Sequence, residues 1–263
     1  MYIKKPMADG IRLKKHHGQN FLHDHSVVRD MLGAVNLKNR SVFEIGCGAG
    51  FLTKQILAND ITRLWVFEID PEWADKVATE FACPKLTVNT SNILDIDFEI
   101  FKEHSPWLLL SNLPYHVTFP ILRKMQKNRD TVIEGVIMVQ EEVAQKIVKD
   151  SGRGYGYISL FYQYYYEWKL LTKVPPTAFY PAPKVFSRLM HFKVRPDVAP
   201  IIDEDEFWKF IKLCFIQPRR TLRNNLSQTH LDISRLSEDT LKLRAQQMNF
   251  SELFELWQFI KNV

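Results

Sequence analysis

The sequence predicts an α/β protein, a doubly wound parallel sheet followed by a small all-helical C-terminal domain. Three observations carry that prediction. A short apolar strand, Ser41 to Ile45, runs into glycines at 46, 48 and 50 and then into an amphipathic segment with Phe51, Leu52, Ile56 and Leu57. Short apolar runs then alternate with helix-patterned segments as far as Val194, the order of a βαβ series. Beyond about residue 203 the alternation stops and only helical spacing remains.

Residues 1–25 read as a flexible basic N-terminal segment, 26–196 as the sheet domain and 203–263 as the helical domain. Apolar residues at 27, 28, 31, 32 and 35 predict a helix from Val27 to Leu37. After the glycine loop, a second strand is expected over Arg63–Glu68, with Pro71 fitting the first turn of a helix that reaches about Phe81. The third strand is Leu86 to Asn89. The fourth, Trp107 to Leu110, is apolar throughout, as a buried parallel strand should be. A helix with Ile121, Leu122 and Met125 leads to a fifth strand, Val132 to Val139. Glycines at 152, 154 and 156 mark a loop, an aromatic stretch from Phe161 to Trp168 follows, and a last strand spans Arg188 to Val194. Right-handed crossovers put the strand ends on one edge of the sheet. In the C-terminal part, Phe207, Phe210, Ile211, Cys214 and Phe215 share one helical face, and Leu253, Phe254, Trp257 and Ile260 another.

Composition narrows the class. With 263 residues, 46% hydrophobic and 25% charged, the chain is an ordinary soluble protein of one large and one small domain. Lysine and arginine exceed the acids by 35 to 30. The excess clusters: Lys4, Lys5, Arg12, Lys14, Lys15, His16 and His17 near the start, Lys212, Arg219, Arg220 and Arg223 near the end. Two such patches are better explained by phosphate contacts than by solvation alone. Three cysteines (Cys47, Cys83, Cys214) without CxxC spacing suit a reducing compartment and argue against a disulfide scaffold or zinc ribbon. The grouped histidines lack the acidic or thiol partners of a metal site, so no metal is expected. No apolar run approaches a membrane span. A cytoplasmic, monomeric protein without a membrane partner is expected.

The glycine loop reads Glu44-Ile45-Gly46-Cys47-Gly48-Ala49-Gly50. Glycines let a ligand approach the backbone, and a helix N-terminus follows. A dinucleotide fingerprint would need its third glycine at position 51, which is Phe51. Glu68, 22 residues beyond Gly46 at the end of the second strand, is placed to accept both hydroxyls of a ribose. Asn112-Leu113-Pro114-Tyr115 is the sharpest signal. An adenine amino nitrogen is a poor nucleophile because its lone pair is delocalised. An Asn112 side-chain oxygen and a carbonyl beside Pro114 can accept its two hydrogens and turn the lone pair outward, while Pro114 stiffens the loop and Tyr115 stacks on an extruded base.

The glycine loop resembles motif I of S-adenosylmethionine-dependent methyltransferases, and Asn112–Tyr115 resembles their motif IV for exocyclic amines. Gly18-Gln19-Asn20-Phe21-Leu22, the glycine loop, Phe67-Glu68-Ile69-Asp70 and Asn112–Tyr115 occur in the order of the ribosomal RNA adenine dimethyltransferases. Val174–Val185 with Ser187, and Phe215–Leu226 read as a basic helix, resemble the small-subunit (KsgA) type rather than the large-subunit resistance type. The resemblance implies a Rossmann-like methyltransferase fold, S-adenosylmethionine as cofactor, and dimethylation of two adjacent adenines near the 3′ end of small-subunit ribosomal RNA, with an immature small ribosomal subunit as partner. It implies cofactor binding by Asn20, Leu22, Gly46, Gly48, Glu68, Asn92 and Asn112, catalysis by Asn112, Pro114 and Tyr115, and Phe179 beside Tyr115 at the target base. Three departures stand out. Ser91-Asn92-Ile93 replaces the usual Gly-Asp-Ala, Cys47 replaces a common proline, and Pro218-Arg219-Arg220-Thr221 replaces Arg-Arg-Lys-Thr. Competing readings are a large-subunit methyltransferase, a ribosome-assembly factor whose methylation is incidental, and a DNA adenine methyltransferase.

Overall fold

The structure is a computed structural model that describes residues 7–8, 10–14, 19–198, 200–227, 229 and 231–261. Lys4, Lys5, Lys15, His16, His17 and Gly18 lie outside those residues. In chain order the elements are β1 (Met7–Ala8), β2 (Ile11–Arg12), β3 (Phe21–Leu22), α1 (His25–Gly33), β4 (Ser41–Ile45), α2 (Phe51–Leu57), β5 (Arg63–Glu68), α3 (Pro71–Glu80), β6 (Leu86–Thr90), β7 (Trp107–Asn112), α4 (Thr118–Lys127) and β8 (Val132–Gln140). There follow α5 (Glu141–Ile147), α6 (Tyr157–Tyr165), β9 (Tyr166–Val174), β10 (Phe179–Tyr180), β11 (Ser187–Val194), α7 (Glu204–Cys214), α8 (Leu222–Leu226), α9 (Glu238–Lys242) and α10 (Phe250–Lys261).

Two compact units result. The first runs to Ala144 and resumes over Trp168–Val194; the second comprises Gln145–Glu167 and Arg195 onward. In the first, a seven-stranded sheet has the order β6-β5-β4-β7-β8-β11-β9. Strands β4 to β8 pair in parallel, with Ile45 opposite Phe67 and Phe43 opposite Leu109. The order reverses between β4 and β7, and their carboxyl ends carry the glycine loop and Asn112. Such a switch point is where open α/β sheets bind ligands. One face of the sheet is sealed by aromatic rings: Phe43, Phe101 and Trp107 meet at centroid distances of 5.1 to 6.2 Å, and the Trp107 indole N–H donates to the Phe101 carbonyl at 2.6 Å.

Several expectations are corrected. β11 runs antiparallel to β8, with Ser187 opposite Gln140, so the site edge receives its beginning and not its end. Helix α1 stops at Gly33 rather than Leu37, because glycine is a poor helix former and the Asn36 side chain then caps the Lys38 N–H at 3.1 Å. The N-terminal segment, where described, is a hairpin turning at Gly10 and a short strand, β3, paired with β10. The aromatic stretch has structure of its own, half helix α6 and half strand β9. Residues 145–167, read from the sequence as sheet domain, belong to the helical unit because the α6 rings are packed there. Phe161 lies 4.9 Å from Trp208, and Tyr164 stacks on Phe250 at 5.1 Å.

The basic segment 212–226 is not one helix. α7 ends at Cys214, a turn follows, and α8 starts at Leu222 behind Thr221, whose hydroxyl caps Asn224. The buried Asn225 amide holds that turn by donating to the carbonyls of Cys214 and Gln217 at 2.8 and 3.2 Å. Arg219 and Arg220 are exposed on it, whereas Arg223 pairs with Glu238 at 2.6 Å and Lys212 covers the Tyr157 ring. Among the described residues no helix is long and apolar enough to cross a membrane.

Candidate active site

A cleft of about 390 Å³ is lined by nine of the ten residues singled out from the sequence, Phe179 being the exception: Asn20, Leu22, Gly46, Gly48, Glu68, Asn92, Asn112, Pro114 and Tyr115. They come from the N-terminal strap and from the ends of β4, β5, β6 and β7. Parallel pairing is what gathers residues so far apart in the chain.

The glycine loop turns sharply, with Gly46 at φ +73° donating its N–H to the Phe67 carbonyl at 2.8 Å. At Gly48 the reason for glycine differs from the expected one. A Cβ there would stand 2.3 Å from the Phe21 ring, so the space is used by the protein's own strap. Phe21 is in turn held against Trp73 at 4.9 Å. The strap is latched from below. Lys14 Nζ meets the Asp70 and Glu72 carboxylates at 2.6 and 2.9 Å, and the Gln19 amide donates to the other Asp70 oxygen at 3.1 Å. Asp70 also caps α3 through the Glu72 N–H, and its pairing with Lys14 and Gln19 holds its carboxyl below the usual range against the opposing effect of burial.

Glu68 ends β5 nearly buried. Its two oxygens accept from the N–H groups of Gly48 (3.1 Å) and Asp70 (2.9 Å), which fixes the carboxyl plane at the cleft wall. Burial pushes its pKa up, and those two N–H groups pull the other way. Glu44, the acid before the first glycine of the loop, was given no role from the sequence. It is buried one strand deeper, accepts from the Thr53 hydroxyl at 2.6 Å, and is pushed by desolvation to about 8. The sequence marks it only as the acid of the glycine-loop pattern; its burial is what the structure adds.

At the other wall, Ser111 donates to the Ile45 carbonyl at 2.6 Å and ties β7 to β4. Asn112 donates its Nδ2 to the Asn20 carbonyl at 3.3 Å, which orients the amide. Its Oδ1 is buried and has no partner among the described residues. An orphaned buried acceptor costs about 1–3 kcal/mol unless a ligand satisfies it. The Pro114 carbonyl is already used, accepting from Val117 N and Thr118 Oγ1, so the remaining carbonyl beside Pro114 is that of Leu113. Tyr115 is anchored through its hydroxyl to Ser187 Oγ at 2.6 Å, and burial raises its pKa, leaving a neutral phenol.

Two expected residues sit differently. Asn92 lines the cleft, but its oxygen caps the Leu94 N–H and its Nδ2 donates to Asp95, both at 3.1 Å. Phe179 is buried in the core, because β10 pairs with β3 and turns its ring inward; it is not among the residues lining the cleft. Cys47 stays a thiol, its pKa raised by burial. The donor and acceptor set fits S-adenosylmethionine: a fixed carboxyl for ribose hydroxyls, the glycine turn at Gly46, and the apolar Leu22, Ile69 and Ile93 around them.

Comparison with known proteins places this arrangement. A model of the family described as ribosomal RNA adenine dimethylase matches residues 10–253. The chain is 34% identical over 254 residues to a ribosomal RNA small subunit methyltransferase A of Chlorobium phaeobacteroides, covering 95% of this chain and 92% of that protein. Its fold is similar to a dimethyladenosine transferase of Plasmodium falciparum, with a TM-score of 0.76, 18% identity and coverage of 92% and 98%. It is similar also to the 23S rRNA methyltransferase ErmE, with a TM-score of 0.69, 22% identity and coverage of 90% and 98%. Since the family model spans nearly the whole chain and the cleft carries its motifs, the chain belongs to the ribosomal RNA adenine dimethylase family.

Proposed function

We propose that this protein dimethylates the exocyclic N6 of two adjacent adenines near the 3′ end of small-subunit ribosomal RNA, with S-adenosylmethionine as donor, during assembly of the small subunit. The observation that carries the reading is the unpartnered Asn112 Oδ1, buried beside the glycine loop. S-Adenosylmethionine supplies a methyl group on an already activated sulfonium, so the protein has to bind, orient and exclude water rather than generate a strong base.

Each group then has a task. Glu68 accepts from the ribose hydroxyls of the donor. The glycine turn and the Phe21 strap close over it, with Asn20 and Leu22 on the strap and Asn112 Nδ2 tied to the Asn20 carbonyl. Asn112 Oδ1 and the Leu113 carbonyl accept the two N–H hydrogens of the target amine, drawing its lone pair out of the ring. Pro114 keeps those two acceptors rigid, and Tyr115 stacks on the extruded base. The proton released after transfer leaves to solvent. The basic residues Arg219 and Arg220 of the helical unit hold phosphates of the partly assembled particle. The catalytic chain acts as a monomer.

The test is transfer of labelled methyl groups to small subunits lacking the modification, with large subunits beside them and the labelled positions mapped. Label in two neighbouring small-subunit adenines, lost by about 100-fold or more in Asn112→Ala, is expected. Label in the large subunit would overturn the assignment. Normal subunit maturation by the inactive Asn112→Ala chain would favour an assembly factor whose methylation is incidental.

A further inference from the structure

Where the cleft is lined by the residues that follow β6, one polar group has no hydrogen-bond partner among the described residues. Ser91 follows β6 directly, its N–H donates to the Glu68 carbonyl at 2.9 Å, and it lines the cleft between Glu68 and Asn92. Its Oγ is buried without a hydrogen-bond partner among the described residues. The neighbouring Asn92 is the reverse case. A carboxylate at that position would cap the Leu94 N–H with one oxygen and present the other. An amide has a single oxygen, here held at the Leu94 N–H with one lone pair left, and its Nδ2 is turned to Asp95, an exposed residue that does not line the cleft. Asn92 thus offers a ligand one lone pair of an oxygen already oriented by Leu94, while the whole of the Ser91 hydroxyl is unengaged among the described residues.

We infer that the Ser91 hydroxyl, not the Asn92 side chain, recognises the adenine amino group of the donor in this protein. Asn92 serves as the cap of the Asn92–Asp95 turn and keeps a second carboxylate away from Asp95. This assignment rests on the reading that the cleft binds S-adenosylmethionine. A hydroxyl buried with its partner missing costs as much as a lost hydrogen bond, and the adenine amine is the group that would satisfy it.

Calorimetric binding of S-adenosylhomocysteine and of its 6-deamino analogue, in which a hydrogen replaces the amine and so gives the hydroxyl nothing to accept from or donate to at that position, tests it without catalysis. The wild-type protein should prefer the adenosyl compound. Ser91→Ala should weaken it by about 5- to 30-fold, with little change for the deamino compound, so that the preference collapses. Asn92→Ala should lower both affinities alike. Because the two ligands are compared on one sample, a partly unfolded variant changes both and does not mimic the result. Retention of the preference in Ser91→Ala, or its loss in Asn92→Ala alone, overturns the assignment while leaving the cofactor reading intact. A wild-type protein that binds neither compound overturns both.

Discussion

The hydroxyl of Tyr115 lies 2.6 Å from the hydroxyl of Ser187, which is fully buried at the start of β11. Residues 72 positions apart are thus joined at the mouth of the cleft. The strand beneath is rigid: the Arg188 guanidinium grips the Glu141 carboxylate at 2.7 and 2.9 Å and donates to the Leu171 carbonyl. Ser187 is accordingly a positioning residue for the Tyr115 ring. Ser187→Ala and Tyr115→Phe should each slow methyl transfer about 3- to 10-fold with S-adenosylhomocysteine affinity unchanged. The double variant should be no slower than either single one, since both remove the same bond. Additive losses in a single-turnover assay would show that Ser187 acts elsewhere.

Glu44 gives the protein a pH-dependent stability. Its folded pKa, about 8, lies above its ordinary value of 4.5 because burial disfavours the carboxylate. Between those values the folded chain holds a proton that the unfolded chain releases. Stability should therefore fall as pH rises through that window, by up to about 1.4 kcal/mol per pH unit, and the slope should end near pH 8. Glu44→Gln, which keeps an acceptor for Thr53, should flatten the profile. Denaturant melts of the two proteins from pH 5 to 9 provide the check; parallel slopes would mean that Glu44 titrates normally.

Asp70 joins the strap to α3. Asp70→Ala removes a helix cap and the latch bonds from Lys14 and Gln19 to Asp70, leaving the Lys14–Glu72 pair. A cost of about 1–2 kcal/mol, read as a melting temperature lower by a few degrees, is expected. Faster proteolysis near residues 10–22 should accompany it. A variant that melts lower but keeps the strap protected would assign the whole effect to the cap.

Gly48→Ala should disrupt the cleft from the opposite side. Its Cβ would meet Phe21 at 2.3 Å in a left-handed backbone at φ +49°, so the strap must lift or the loop must shift. S-Adenosylhomocysteine binding should weaken by about tenfold or more. Phe21→Ala added to it should recover part of the loss if the ring is the obstacle, and none if the backbone is.

Arg219 and Arg220 are exposed on a turn that Asn225 holds in place. Charge removal by Arg219→Ala with Arg220→Ala should weaken binding to small subunits uniformly and reduce the dependence of log affinity on log salt by about 2. Methyl transfer to a short RNA at saturating concentration should change little. An unchanged salt slope would exclude these two residues from phosphate contact.

Much of this was determined by the sequence itself. Alternation of apolar runs with helical segments specified a parallel sheet, because only strands buried on both faces read that way. The spacing from Gly46 to Glu68 and the run Asn112–Tyr115 specified which side chains meet at its edge, since parallel strands align their carboxyl ends. Tertiary structure decided what periodicity does not encode. It turned β11 antiparallel and so delivered Ser187 to Tyr115, and it drew the rings of α6 into the helical unit. Three-dimensional packing also set burial, which is a property of the assembled fold and not of any segment. Burial is why Glu44 holds its proton, why Phe179 lies in the core, why Gly48 is kept free for Phe21, and why, among the described residues lining the cleft, Asn112 Oδ1 and Ser91 Oγ are buried without a partner while the Asn92 oxygen is held by Leu94.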